Sequence, residues 1–167
     1  MKSDENSGVT VIIPTFRSEN VIIRALNSVL IQTSQPDEII VVDDASDDQT
    51  VSIVREFAKS CPKLQLLVNT KNEGPGRSRN TAWQLAKTEF IAFLDADDTW
   101  QPEKLQIQVE WFKNNQDAVI CGTRHQVVDE RVLMTVDDSV SFFEIKDLPS
   151  CIRLRSCFVL APHLRQK

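Results

Sequence analysis

No run of apolar residues approaches the roughly 20 needed to span a bilayer, so the chain is expected to visit a membrane only at its surface. No stretch is rich in Lys or Arg. With 19 basic against 24 acidic residues the net charge is −5, which argues against nucleic acid as a partner. The two histidines, His125 and His163, have no metal-binding or catalytic constellation around them. They read as structural or surface residues, with His125 as a metal ligand the minor alternative. Cys61, Cys121, Cys151 and Cys157 lack zinc-ligand spacing and follow no signal peptide, so reduced thiols in a cytoplasmic protein are expected. Internal repeats and low-complexity segments are absent.

What is present suits one domain: 167 residues with 41% apolar content can bury a core. Met1–Gly8 is polar and expected to fray, leaving a disordered tail over residues 1–8. Val9–Ile13 is β-branched throughout and reads as a strand buried on both faces. From Ser18, a plausible cap, Val21, Ile22, Ala25, Leu26, Val29 and Leu30 recur at helical spacing. The alternation repeats: strand Glu38–Val42 and helix Thr50–Ser60, then strand Leu64–Val68 and a helix from about Arg77 to Lys87 packed through Trp83, Leu85 and Ala86. Strand Phe90–Leu94 is followed by a helix opened by Pro102, and Ala118–Gly122 is a fifth strand. Such alternation predicts an α/β domain with an open, mostly parallel twisted sheet and helices on both faces. Beyond Gly122 the pattern weakens, with extended pieces over 123–136 and 139–145, a helical piece over 146–154 and a last strand at Ser156–Ala161.

Parallel strands place their following loops on one edge of the sheet, where ligands bind. Both acidic clusters of the chain fall in such loops: Asp43, Asp44, Asp47 and Asp48 after the second strand, and Asp95, Asp97 and Asp98 after the fourth. Adjacent carboxylates repel unless a cation or hydrogen-bond donors compensate them, so the second cluster suggests a divalent metal holding a diphosphate. The competing reading is a solvated acidic turn capping the Pro102 helix. For the first cluster it is a helix cap supplied by Ser46 or Asp47. Arg77 and Arg79 stand in the first turn of their helix, where a cation opposes the dipole. Either an anion lies nearby or the side chains reach solvent.

VTVIIPTF at 9–16, IIVVDDASDDQT at 39–50, NEGPGRSRN at 72–80 and FIAFLDADDTWQPEKL at 90–105 together resemble, in order and spacing, the inverting glycosyltransferases of family 2. The resemblance covers Val9 to about Gly122. It implies the GT-A fold, with a donor-binding domain over 9–122 and the start of an acceptor-side region over 123–167. The implied donor is a nucleotide-diphosphate sugar, a UDP-sugar foremost. The implied acceptor is a glycan or lipid-linked acceptor at the cytoplasmic face of a membrane, with peripheral membrane association and a homodimer as further expectations. By the same resemblance Pro14, Thr15 and Phe16 meet the base and Glu19 approaches the nucleoside. Asp44 accepts from a pyrimidine ring, and Arg79 contacts the nucleotide with Lys71 and Asn72 beside it. Asp95 and Asp97 form an Asp-x-Asp motif in which Asp97 binds Mn2+ or Mg2+ and Asp95 sits nearer the ribose, Asp98 supporting them.

The family's base comes from a Glu-Asp pair that the chain lacks. Asp129-Glu130 is reversed and early, and Asp137-Asp138 is early too. The expectation is therefore a truncated or natural fragment that binds donor without transferring it. A sugar nucleotidyltransferase would need a glycine-rich loop where PTFRSEN stands. Receiver or phosphatase-type domains would leave NEGPGRSRN unexplained. A non-catalytic nucleotide-binding module is the alternative from another class.

Overall fold

A computed structural model of the protein describes residues 8–116, 118 and 120–123, and the strand backbones at 143–144 and 157–160. Strands β1 (Val9–Thr15), β2 (Glu38–Asp43), β3 (Leu64–Val68) and β4 (Phe90–Phe93) alternate with helices α1 (Ile22–Leu30), α2 (Thr50–Lys59), α3 (Pro75–Leu85) and α4 (Lys104–Asn114). The short strands β5 (Ile120–Gly122), β6 (Phe143–Glu144) and β7 (Cys157–Leu160) complete one sheet in the order β3-β2-β1-β4-β7-β5-β6. The first four pair in parallel, whereas β7 runs antiparallel to both β4 and β5. The fifth strand thus keeps the common direction but is separated from β4 by a strand that arrives later in sequence.

This order follows from chain chirality. Two crossovers, β1-α1-β2 and β2-α2-β3, build the sheet one way, and the third returns past β1 to lay β4 on its other side. Right-handed crossovers in opposite directions put their helices on opposite faces. Accordingly Val11, Ile13, Ile39, Val41, Ala92 and Leu94 pack with α1 and Val54 of α2; Leu105 and Phe112 of α4 join this same face, which the rule does not give. The alternate residues Ile12, Ile40, Val42, Ile91 and Phe93 pack with Ala82, Ala86 and Trp83 on the α3 side. Every residue of β1 is buried, as a strand covered on both faces must be. The reversal of build direction creates a crevice beyond the carboxyl ends of β1 and β4.

Several local expectations are corrected. Ser18 does not cap α1 with its side chain. Its carbonyl accepts from the N–H groups of Val21 and Ile22 at 3.0 and 2.9 Å, its hydroxyl turns back to Phe16 O, and the helix begins at Ile22. Leu85 is 44% exposed rather than packed, because α3 meets the sheet through Ser78 and Ala82 and its last turn points Leu85 away. Gly8 is held rather than frayed, since its carbonyl accepts from Phe90 N–H at 3.0 Å. The expected pieces over 123–136 and 146–154, and both histidines, lie outside the described residues. No helix among the described residues is long and apolar enough to cross a membrane.

Candidate functional site

The loops after β1 and β2 are fastened to each other. Asp44 N–H donates to Thr15 O at 2.8 Å, Arg17 N–H to Ser46 Oγ at 2.8 Å, and Ser18 N–H to Thr50 Oγ1 at 2.8 Å. The Arg17 guanidinium grips Asp47 through Nε and a terminal nitrogen at 2.7 and 2.8 Å, while lying 5.1 Å from the centre of the Phe16 ring. Both Arg17 (φ 50°) and Ala45 (φ 62°) sit in the left-handed region, a strained backbone that these cross-links sustain. Asp43 is buried and takes both the N–H and the hydroxyl of Ser46, at 2.9 and 2.6 Å. Ser46 and Asp47 are therefore committed to loop closure and do not cap α2. Asp48 does so locally, accepting from Thr50 N–H at 2.9 Å, and the Glu19 carboxylate accepts from Gln49 N–H at 2.8 Å from the other loop.

Asp44 is 3% exposed and saturated. Its carboxylate receives Asn69 Nδ2 at 2.8 Å, the Glu73 N–H at 3.0 and 3.1 Å, and the Gly74 N–H at 2.6 Å. Burial pushes its pKa upward, but donors on Glu73, Asn69, Gly74 and Ser78 outweigh it and hold the carboxyl below the ordinary range. Gly74 has φ 85°, a conformation that needs glycine, and this lets its N–H face Asp44 as α3 begins with Pro75 at its first position. The start of α3 is thus anchored to β2 by a carboxylate 30 residues earlier.

The same helix reaches the second acidic loop. With α3 starting at Pro75, Arg79 is its fifth residue rather than a member of a first turn at Arg77, and its guanidinium forms a close ion pair with Asp95. Both side chains are largely buried, at 17% and 18% exposure. The anion that Arg79 meets is thus part of the protein. Arg77 instead stays 68% exposed, 3.7 Å from Glu73. Arg24 of α1 donates to the carbonyl of Asp97 at 2.9 Å, and Asp98 N–H to that of Asp95 at 3.0 Å, so the loop backbone is held from two sides. Carboxylate oxygens of Asp95, Asp97 and Asp98 lie within 4.8 Å of one another, Asp97 and Asp98 being exposed. The trio does not cap α4, which begins at Lys104 without a side-chain cap.

These residues fit a hard divalent cation: three oxygen donors converge at an open loop that phosphate and water can reach to complete the shell. Three buried side-chain polar atoms lack a partner among the described residues: Thr15 Oγ1, Arg79 Nε and, at the end of the acidic loop, Trp100 Nε1. Pro14 and Thr15 are buried at the end of β1 and Phe16 is 42% exposed just beyond. Lys71 and Asn72 are exposed, Lys71 Nζ lying 3.5 Å from Glu73. The contributions of Arg24, Asn69 and Arg17 were not anticipated. Their partners are 73, 25 and 30 residues away, and no local pattern marks them.

The model of the family described as "Glycosyl transferase family 2" matches residues 10–159. Over 114 residues the chain is 39% identical to the UDP-Glc:alpha-D-GlcNAc-diphosphoundecaprenol beta-1,3-glucosyltransferase WfgD of Escherichia coli, covering 68% of this chain and 44% of that protein. Among solved structures, S. aureus TarS 1–349 in complex with UDP-GlcNAc superimposes with a TM-score of 0.67 at 32% identity, covering 77% of this chain and 37% of that one. The mannosyltransferase PcManGT from Pyrobaculum calidifontis, in complex with GDP-Man and Mn2+, gives 0.65 at 31% identity, covering 71% and 35%. The chain therefore spans less than half the length of each of these relatives. Its four parallel strands, the acidic loop at their carboxyl edge and the family match over most of its length make the chain a member of glycosyltransferase family 2, with the GT-A fold.

Proposed function

We propose that this chain forms the donor half of an inverting glycosyltransferase that passes a sugar from a nucleoside diphosphate, foremost UDP, to a hydroxyl of a glycan or lipid-linked acceptor in polysaccharide or glycan assembly. The observation that carries this reading is the carboxylate trio at the switch point between β1 and β4, beside a buried threonine hydroxyl and an arginine Nε–H without partners among the described residues. Thr15, Pro14 and Phe16 line the side where a base and ribose lie. Asp97 and Asp95 hold Mn2+ or Mg2+, which stabilises charge on the departing diphosphate when bound. In the reaction the anomeric carbon exchanges its bond to the diphosphate oxygen for one to the acceptor oxygen, whose proton passes to a carboxylate base. Asp44, saturated by protein donors, can reach a pyrimidine only where one of them gives way, so its first role is to hold residues 69–74 in place. Glu19 likewise spends one carboxylate oxygen on Gln49 before any nucleoside. Lys71 and Asn72 stand exposed at the approach to the diphosphate, and the acceptor places the working enzyme at the inner face of a membrane.

Calorimetric titration with UDP, GDP and CDP, with and without Mn2+, tests this. Metal-dependent binding of one nucleotide, lost in Asp97→Ala, is expected. Absence of metal-dependent binding for all three nucleotides would overturn it.

A further inference from the structure

Resting on that reading, we propose that Arg79 is an exchangeable counterion: it neutralises Asp95 while the acidic loop is without a cation, and moves to the nucleotide when one binds, so that nucleotide and metal are taken up together. Three carboxylates within 4.8 Å of one another carry three negative charges, and Arg79 pairs through its side chain with one of them, Asp95. The pair is largely shielded from water, so it is stronger than an exposed surface contact. While Arg79 holds Asp95 Oδ1, that oxygen is not open to a cation. Metal alone therefore competes with the guanidinium, and binds weakly.

A second observation gives the guanidinium somewhere to go. Its Nε–H is buried and has no partner among the described residues. An unsatisfied buried donor is unfavourable. The strain falls on the Asp95-bound position, and an anionic ligand in the crevice that draws the guanidinium over would satisfy Nε–H as well as replace the lost carboxylate. A diphosphate does this well, since guanidinium pairs with phosphate oxygens through two parallel donors. The direction of coupling follows. Nucleotide binding frees Asp95 for the metal, and by reciprocity metal binding frees Arg79 for the nucleotide.

The test is Mn2+ binding to the whole chain without nucleotide, followed by the electron paramagnetic resonance of free Mn2+, in the parent, Arg79→Gln and Arg77→Gln. Arg77 is on the same helix but 68% exposed and pairs with Glu73, so its removal takes away the same charge without freeing Asp95. Arg79→Gln is expected to bind Mn2+ about tenfold more tightly than the parent, within the range typical of coupling between two sites, and Arg77→Gln to change it by no more than about twofold. Saturating UDP should then strengthen Mn2+ binding less in Arg79→Gln than in the parent. Equal Mn2+ affinity of Arg79→Gln and the parent overturns the proposal while leaving the donor site standing, provided both bind UDP with Mn2+. So does an equal gain in Arg77→Gln, which would mark a general field effect. If neither Mn2+ nor UDP binds any of the three, the donor-site reading and this proposal fall together. Should Arg79→Gln not fold, the Nε–H resonance of Arg79 in the parent decides: it should move on addition of UDP and Mg2+, and an unmoved signal overturns the exchange.

Discussion

The two acidic loops use the same residue type in opposite ways. After β2, all four aspartates are taken up by the protein: Asp43 by Ser46, Asp44 by Asn69, Glu73 and Gly74, Asp47 by Arg17, and Asp48 by Thr50. After β4, Asp97 and Asp98 are exposed, and Asp95 is held through its carboxylate by Arg79. The first loop converts charge into rigidity, because each ionised oxygen receives strong, geometrically fixed donors. The second keeps like charges close together, an arrangement that disfavours the folded chain unless a ligand compensates it. A cluster of carboxylates therefore points to a binding site where its members stay close together and exposed to solvent.

Substitutions should separate the two loops sharply. The largest effect is expected for Asp44→Ala. It strands two backbone N–H groups and an Asn69 amide in a buried setting, at about 1 kcal/mol each or more, so chemical denaturation should show a loss of about 3 kcal/mol. A loss near zero would break the contrast.

The pH dependence comes next. Asp44 and Asp48 are pushed up by burial but held low overall by their donors, Glu73, Asn69 and Gly74 for Asp44 and Thr50 and Glu19 for Asp48. Asp47 is held low by its hydrogen bond to Arg17. A carboxylate with a folded pKa below its unfolded value contributes fully above the unfolded value, near 3.9, and loses that contribution as pH falls through the folded one. Thermal melts should therefore be flat in this respect above about pH 5 and decline below about pH 4. Asp44→Asn, which cannot be protonated, should show a shallower acid decline. An identical decline in the variant would remove Asp44 from the account.

The smallest stability effect belongs to the second loop. Asp97→Asn should leave the unfolding free energy within about 0.5 kcal/mol of the parent, as exposed substitutions usually do. The same variant should weaken Mn2+ binding by at least the roughly 10–100-fold that loss of even an outer partner of a metal ligand produces. A large loss of stability with unchanged metal binding would invert the comparison.

Much of this architecture was legible in the residues themselves. Continuous runs such as VTVII and EIIVV read as doubly covered strands, and every residue of β1 is buried. The acidic loop was recognisable because polarity switches abruptly at Leu94-Asp95 after a buried strand. Helix starts were less accessible: Ser18, Ser46 and Asp47 all look like caps, yet loop-to-loop bonding with partners some 30 residues away reassigns the last two. The placement of β7 between β4 and β5 could not be read from strand propensity, which says nothing of neighbours.

The periodicity and the ordered motifs by themselves determined the α/β class, the four parallel strands and the edge on which the two aspartate clusters must emerge, because burial period and crossover handedness are local or nearly local constraints. Which aspartates are spent on the fold and which face an open loop, and that Arg79 meets Asp95, came from long-range packing. A carboxylate's role depends on the donors brought to it from distant segments, and nothing in the neighbouring sequence records where those donors will be.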